Sequence, residues 1–202
     1  GGLAIARVIT SMIFAAVSGS SVATTYAVGA ILLPAMIAHG YPKPMATAIQ
    51  ASSANLGIVI PPSVPLIMYG VSTNTSIGKL FLAAIGPGLL MGLALIIMVM
   101  VWCWFTGHGK HDAVGKQNLL ASSKDALLAL LMPTMILGGI YGGIFTPTEA
   151  SAIAVIYGLF LGIFVYKEIS WRDIPNILRS SVLSTTSVMI IIAAASLLSF
   201  LV

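Results

Sequence analysis

Charge is scarce in this sequence. Only 7% of its 202 residues are Asp, Glu, Lys or Arg, while 58% are hydrophobic; an average soluble domain carries about a quarter charged residues. So few ionisable side chains cannot keep a folded surface wetted. An ordinary soluble domain is excluded, and an all-α, multi-pass membrane protein in contact with the lipid bilayer is the class that remains. Cysteine is nearly absent: Cys103 stands alone, which excludes an internal disulfide and a cysteine-based metal centre. Basic residues number only nine and form no patch, so the formal charge of +4 does not point to nucleic acid. Acids and histidines are missing from the apolar interiors. Asp112, Asp125, Glu168 and Asp173 fall in polar connections, and His39, His108 and His111 fall at or beyond the ends of apolar runs. That distribution leaves no proton relay and no carboxylate cage for magnesium or calcium. There is no Gly-x-Ser-Gly pattern, no intramembrane Asp pair and no Gly-x-x-x-x-Gly-Lys phosphate loop, so catalysis is not expected.

What the sequence has is long apolar runs. A spanning helix needs about 20 such residues, and Pro87–Phe105, Ala126–Phe145, Ala150–Tyr166 and Leu183–Val202 each meet that length. Two other stretches are unusual. Residues 1–38 are too long for one crossing and are interrupted by Ser18-Gly19-Ser20-Ser21, which predicts a helical hairpin. Residues 45–70 could span but are broken by Asn55-Leu56-Gly57 and again by Pro61-Pro62-Ser63-Val64-Pro65, where proline removes backbone donors. Gly86-Pro87-Gly88 is expected to separate a short interfacial helix, Ile77–Ile85, from the span that follows. If the first run is a hairpin, Arg7, Lys43, Lys110, Lys116, Lys124, Lys167, Arg172 and Arg179 fall on one face and only Lys79 on the other, the asymmetry of a cytoplasmic side. Trp102, Trp104, Phe105 and Trp171 suit an aromatic belt there, and residues 167–179 read as an amphipathic linker lying in the interface. The chain thus divides into 1–71 (hairpin plus broken helix), 72–125 (interfacial helix, span and loop) and 126–202 (further spans with the linker). It opens without methionine and closes inside an apolar run, so it reads as an excerpt of a longer chain.

The two interruptions carry the functional expectation. In hydrocarbon an unpaired backbone group costs several kcal/mol, so a broken helix persists at membrane depth only where protein, water or a ligand satisfies the freed groups. Each break exposes a carbonyl end, which attracts a cation, and an N–H end, which attracts an anion. Around them stand the hydroxyls of Ser18, Ser20, Ser21, Thr24 and Thr25 at the first break and Ser52, Ser53, Asn55 and Ser63 at the second. Ser20 or Ser21 suits the N-cap of the helix beginning near Val22, and Pro61 or Pro62 the first turn of the next. Neutral oxygens without a buried acid match Na⁺ with a carboxylate-bearing solute, and the solute is expected beside Ser21, Thr24, Pro61, Pro62 and Ser63.

Other features read as structural. Thr146-Pro147-Thr148-Glu149 fits a capping box, with Thr146 as N-cap and Glu149 reaching back from the third helical position. Gly138, Gly139, Gly142 and Gly143 give overlapping small-xxx-small spacings that favour a close helix crossing.

Several motifs, in order along nearly the whole chain, resemble one family. They are the run from Phe14 to Thr24 around Ser18-Gly19-Ser20-Ser21, then Gly40-Tyr41-Pro42, then Ala51-Ser52-Ser53-Ala54-Asn55-Leu56-Gly57 through Ile60-Pro61-Pro62-Ser63. Ser76 to Ala83, Pro87-Gly88-Leu89-Leu90 and Gly143 to Ala150 follow. The set is similar to the large membrane subunit of tripartite ATP-independent periplasmic (TRAP) transporters. The resemblance implies a sodium-driven secondary importer of the bacterial inner membrane, working with a small membrane subunit and a soluble periplasmic binding protein that delivers an organic acid. It implies an elevator-type fold with inverted repeats, in which the hairpin is re-entrant and moves together with the broken helix. It also implies a sodium site on Ser18, Gly19 and Ser20 at the hairpin tip and on Ser53, Asn55 and Gly57 at the broken helix. Ser21 adds a hydroxyl at a place where the family often has a small apolar residue. Two rival readings are a standalone anion/sodium symporter and a non-transporting scaffold subunit.

Overall fold

The computed structural model describes residues 1–107 and 119–201; the expected loop cations Lys110 and Lys116, with His108, His111 and Asp112, lie outside them. Among the described residues there is no strand. The helices are α1 (Gly2–Ser18), α2 (Ser21–Ala38), α3 (Lys43–Ala54), α4 (Leu56–Val59), α5 (Val64–Thr73), α6 (Ile77–Thr106), α7 (Leu119–Tyr141), α8 (Pro147–Phe160), continued by a π-helical turn Leu161–Val165, and α9 (Ile174–Leu201). Among the described residues, five helical segments are long and apolar enough to cross a membrane, the interrupted Lys43–Thr73 counted as one. The chain forms two compact units, Gly1–Leu137 and Gly138–Val202.

In the first unit α1 is the central element. Ala4, Val8, Ser11 and Ala15, fully buried at helical spacing, make one narrow face of small residues. Against it pack Met36 of α2, Ala46 and Ile49 of α3, Leu56 of α4, and Val99 and Cys103 of α6. In lipid, where helices gain little from leaving their solvent, such close van der Waals contact is the main attraction.

The hairpin turn forms where expected. Gly19 adopts the left-handed region (φ 61°, ψ 15°) and its N–H returns to the Ala15 carbonyl at 2.9 Å, closing α1. Ser20 is the N-cap of α2, its Oγ accepting from Ala23 N at 3.3 Å. Further along, the interruption at Asn55 is slight, since that residue keeps helical dihedrals; the chain becomes extended at Ile60 and re-enters a helix only after Ser63.

Three expectations are corrected. First, Ile77–Ile85 is not a separate interfacial helix: α6 runs unbroken to Thr106 with Pro87 inside it. Proline removes one ladder bond, and the flanking glycines serve packing or cause no break. A Cβ on Gly88 would lie 3.0 Å from Ile60 Cγ1, and Met12 fills the space over Gly92, while Gly86 meets open space. Second, Arg7, expected among the charges of one face, is not a free surface cation: its side chain is fully buried within the protein. Third, residues 167–179 are not one amphipathic linker. Lys167 takes a left-handed conformation (φ 55°), Asp173 accepts from Ser170 N at 2.9 Å, and Ile174 already begins α9, so the span expected from Leu183 starts nine residues earlier.

In the second unit the capping box forms as expected. Glu149 N reaches Thr146 Oγ1 at 3.3 Å and Thr146 N reaches Glu149 Oε2 at 2.8 Å. The glycine cluster divides between two roles. Gly139 lies under the Phe145 ring, whereas Gly142 and Gly143 (φ 67°) leave the helix and make the turn after Tyr141.

Candidate functional site at the meeting of two interrupted helices

The two breaks touch. A Cβ added to Gly19 at the hairpin tip would collide with the Pro62 carbonyl oxygen, and one added to Gly57 would lie 2.7 Å from the Ser20 carbonyl oxygen and 2.8 Å from Thr24 Oγ1. Only glycine permits either approach, so each break supplies the gap into which the other fits. One backbone bond fastens them: Val64 N, the first N–H of α5, donates to the Gly19 carbonyl at 3.2 Å. That bond satisfies one of the orphan donors at the start of α5; Pro65 has none to satisfy.

Around this contact the tip forms an oxygen cluster. Thr24 Oγ1 donates to the Ser20 carbonyl at 2.8 Å and lies 3.3 Å from Ser18 Oγ, which in turn sits 3.4 Å from the Ser20 N and 3.4 Å from its carbonyl oxygen. Thr24 is fully buried, Ser18 and Ser20 half-buried. The N-terminal ends of α2 and α5 meet here, and each carries partial positive charge. On the other side, Ser63 is buried and its Oγ donates to the Ile58 carbonyl at 2.7 Å, bridging the stretch where Pro61 and Pro62 have no N–H to give.

The structure therefore brings together Ser18, Gly19, Ser20, Thr24, Gly57 and Pro62, with Pro61 and Ser63 buried directly behind. Other residues named from the sequence stand apart from the contact. Ser21 is half-buried and its carbonyl accepts from Thr25 Oγ1; Asn55 is exposed at the junction of α3 and α4. Ser53 is fully buried, but its hydroxyl is engaged by Ser11 Oγ at 3.2 Å and by the Gln50 carbonyl at 3.3 Å. Two residues missed from the sequence thus join the account. Ser11 pairs with Ser53, and Gln50 ties α3 to the tip helix, its Nε2 donating to the Thr25 carbonyl at 2.7 Å and the Thr24 carbonyl at 3.4 Å. A lone glutamine on an apolar helix, three residues before a buried serine, was the available signal. Gly29 leaves it room, since a Cβ there would lie 3.0 Å from Gln50 Nε2.

Chemically this is a cradle of neutral hydroxyl and carbonyl oxygens, suited to a hard cation, beside two helix N-termini suited to an anion. Among the described residues no cluster of His, Cys, Asp or Glu offers an alternative metal site.

Fold and site together define an α-helical, multi-pass membrane protein built around two mutually inserted helix breaks. Comparison with known proteins gives its family. The family model for the "Tripartite ATP-independent periplasmic transporter, DctM component" matches residues 1–202, and the chain belongs to that family. It is 44% identical over 197 residues (98% of this chain, 46% of the relative) to a "C4-dicarboxylate TRAP transporter large permease protein DctM" of Pseudomonas aeruginosa. It is 46% identical over 168 residues (83% of this chain, 37% of the relative) to a protein of the same description in Vibrio cholerae. To an "Isethionate TRAP transporter permease protein DctMQ" of Oleidesulfovibrio alaskensis it is 42% identical over 200 residues (98% of this chain, 31% of the relative). The chain spans less than half the length of these relatives.

Proposed function

We propose that this chain carries the first ion site of a sodium-coupled importer of organic acids. The solute reaches it from a periplasmic binding protein, and a small membrane subunit works beside it in the bacterial inner membrane. One observation supports the reading above the others: the glycine-to-carbonyl contacts of Gly19 with Pro62 and of Gly57 with Ser20 join both helix breaks into one oxygen-lined point. Na⁺ is held by Ser18 Oγ, the Ser20 carbonyl and Thr24 Oγ1, with Asn55 and Ser53 on the flank of the broken helix. The ion places its charge where the N-termini of α2 and α5 already favour a carboxylate, so ion and solute raise each other's affinity by the same factor. Paired, they also cross a low-dielectric region at lower cost than either alone.

The hairpin α1–α2 with the broken helix α3–α5 is the moving part, an elevator-type element that dips into the membrane without spanning it. Relatives named for C4-dicarboxylates make that the first solute class to try. The test is uptake into proteoliposomes holding the complete transporter with its binding protein. The expected result is uptake that needs an inward sodium gradient and stops when potassium replaces it, with Ser18→Ala plus Thr24→Val raising the sodium concentration for half-maximal uptake. Equal uptake on potassium, or uptake driven by a proton gradient alone, overturns the proposal. Uptake without the binding protein supports the standalone symporter instead.

A further inference from the structure

Arg7 is a buried ion that the proposed cycle does not use. It precedes Ser18 by eleven residues on α1, a distance of about 16 Å along a helix, and its contact with Met36 puts it at the end of the hairpin away from the tip. Its side chain is fully buried. Nη1 donates to Met36 Sδ at 3.5 Å, a weak acceptor, while Nε and Nη2 are buried without any hydrogen-bond partner among the described residues.

A guanidinium does not escape this situation by losing its proton, and a charge left uncompensated inside a protein or membrane costs several kcal/mol. The C-terminal end of α2, which closes two residues after Met36, offers about half a negative charge. That softens the cost but places no acceptor on Nε or Nη2. The identity of the two orphans is informative. Nε–H and one Nη2–H lie parallel on one edge of the guanidinium, the geometry a carboxylate accepts with both oxygens at once. Of the acids whose side chains are described, Glu149 is occupied in its capping box and Asp173 with Ser170, and Glu168 is exposed rather than buried beside a guanidinium.

We propose that the base of the α1–α2 hairpin holds a second anion site, separate from the tip, in which the Nε/Nη2 edge of Arg7 binds a carboxylate by two parallel hydrogen bonds. That carboxylate comes either from a side chain elsewhere in the transporter or from a free organic acid. In the first case it fastens the hairpin base permanently; in the second it makes the fastening depend on anion concentration.

The experiment measures thermal unfolding of the full-length subunit purified with its small subunit, at constant sodium, with chloride replaced stepwise by acetate. Wild type, Arg7→Met and Arg7→Lys are compared. A free carboxylate predicts a wild-type Tm that climbs with acetate and an Arg7→Met protein that does not respond. A side-chain carboxylate predicts no acetate response, with Arg7→Lys several degrees below wild type and Arg7→Met lower still, because that variant leaves an acid buried and unpaired. The proposal is overturned if acetate has no effect and Arg7→Lys unfolds at the wild-type Tm, whether or not Arg7→Met folds. It is equally overturned if the wild-type Tm does not respond to acetate and Arg7→Met is as stable as wild type, or if Arg7→Met responds to acetate as wild type does.

Discussion

Gly57→Ala tests the site by forcing its two halves apart. The added methyl carbon would lie 2.7 Å from the Ser20 carbonyl oxygen, 2.8 Å from its carbon and 2.8 Å from Thr24 Oγ1. Those separations fall short of an ordinary contact by roughly half an ångström or more. Neither neighbour yields easily, because one is backbone and Thr24 is fully buried with its hydroxyl bonded to the same carbonyl. Overpacking of this kind costs about 1–3 kcal/mol. Alanine returns up to about 1 kcal/mol through its helix preference, so the clash prevails. The cheapest relief moves α4 away from the tip, which draws the broken-helix flank of Ser53 and Asn55 away from the tip oxygens of Ser18, Ser20 and Thr24 proposed to hold sodium. Since 1.4 kcal/mol is about tenfold in affinity, the sodium concentration that half-maximally stabilises the protein rises about tenfold. The assay is thermal unfolding of the full-length subunit against sodium titrated at constant ionic strength with potassium. Gly86→Ala is the control, because a Cβ there meets nothing. The reasoning is refuted if Gly57→Ala is folded in potassium and keeps the wild-type sodium response.

Other outcomes follow from the same contacts. Ser63→Ala removes the hydroxyl that satisfies the Ile58 carbonyl and is expected to cost about 1–3 kcal/mol, read as a lower Tm in sodium and potassium alike. Gln50→Glu turns a donor that faces the Thr25 and Thr24 carbonyls into an acceptor and is expected to lower the Tm by more than Gln50→Met, which only removes the bond. Glu149→Ala loses the reciprocal half of the capping box while Thr146 still caps α8, and is expected to lower the Tm slightly. Because Glu149 serves the cap of α8, the pH profile of uptake is expected to stay that of the wild type; a changed profile would make it a proton carrier.

Local chemistry made much of this fold legible. A glycine between serines at residues 18–21 stops one helix and caps the next by the shortest available hydrogen bonds, and Thr146-Pro147-Thr148-Glu149 closes its own box, so both were readable from adjacent residues alone. The family was legible partly for the same reason, since two of its motifs contain these turns. Pro87 misled because the sequence cannot weigh one lost ladder bond against the contacts made on either side. With Ile60 beside Gly88 and Met12 over Gly92, the helix continues. The stretch after Lys167 misled in the opposite sense: its alternation suggested one amphipathic linker as far as Arg179, yet Asp173 turns the chain into α9. Arg7 and Gln50 were invisible as partners because what defines them lies on other helices, Met36 for one and the Thr25 carbonyl for the other.

The most direct test of the central claim is a density map of the complete transporter, recorded once in sodium chloride and once with choline in place of sodium. The account predicts a sodium-dependent peak among Ser18, the Ser20 carbonyl and Thr24, where Gly57 and Pro62 close on the hairpin tip. A cradle equally empty in both maps, or a sodium peak only at some other place in the protein, would contradict it.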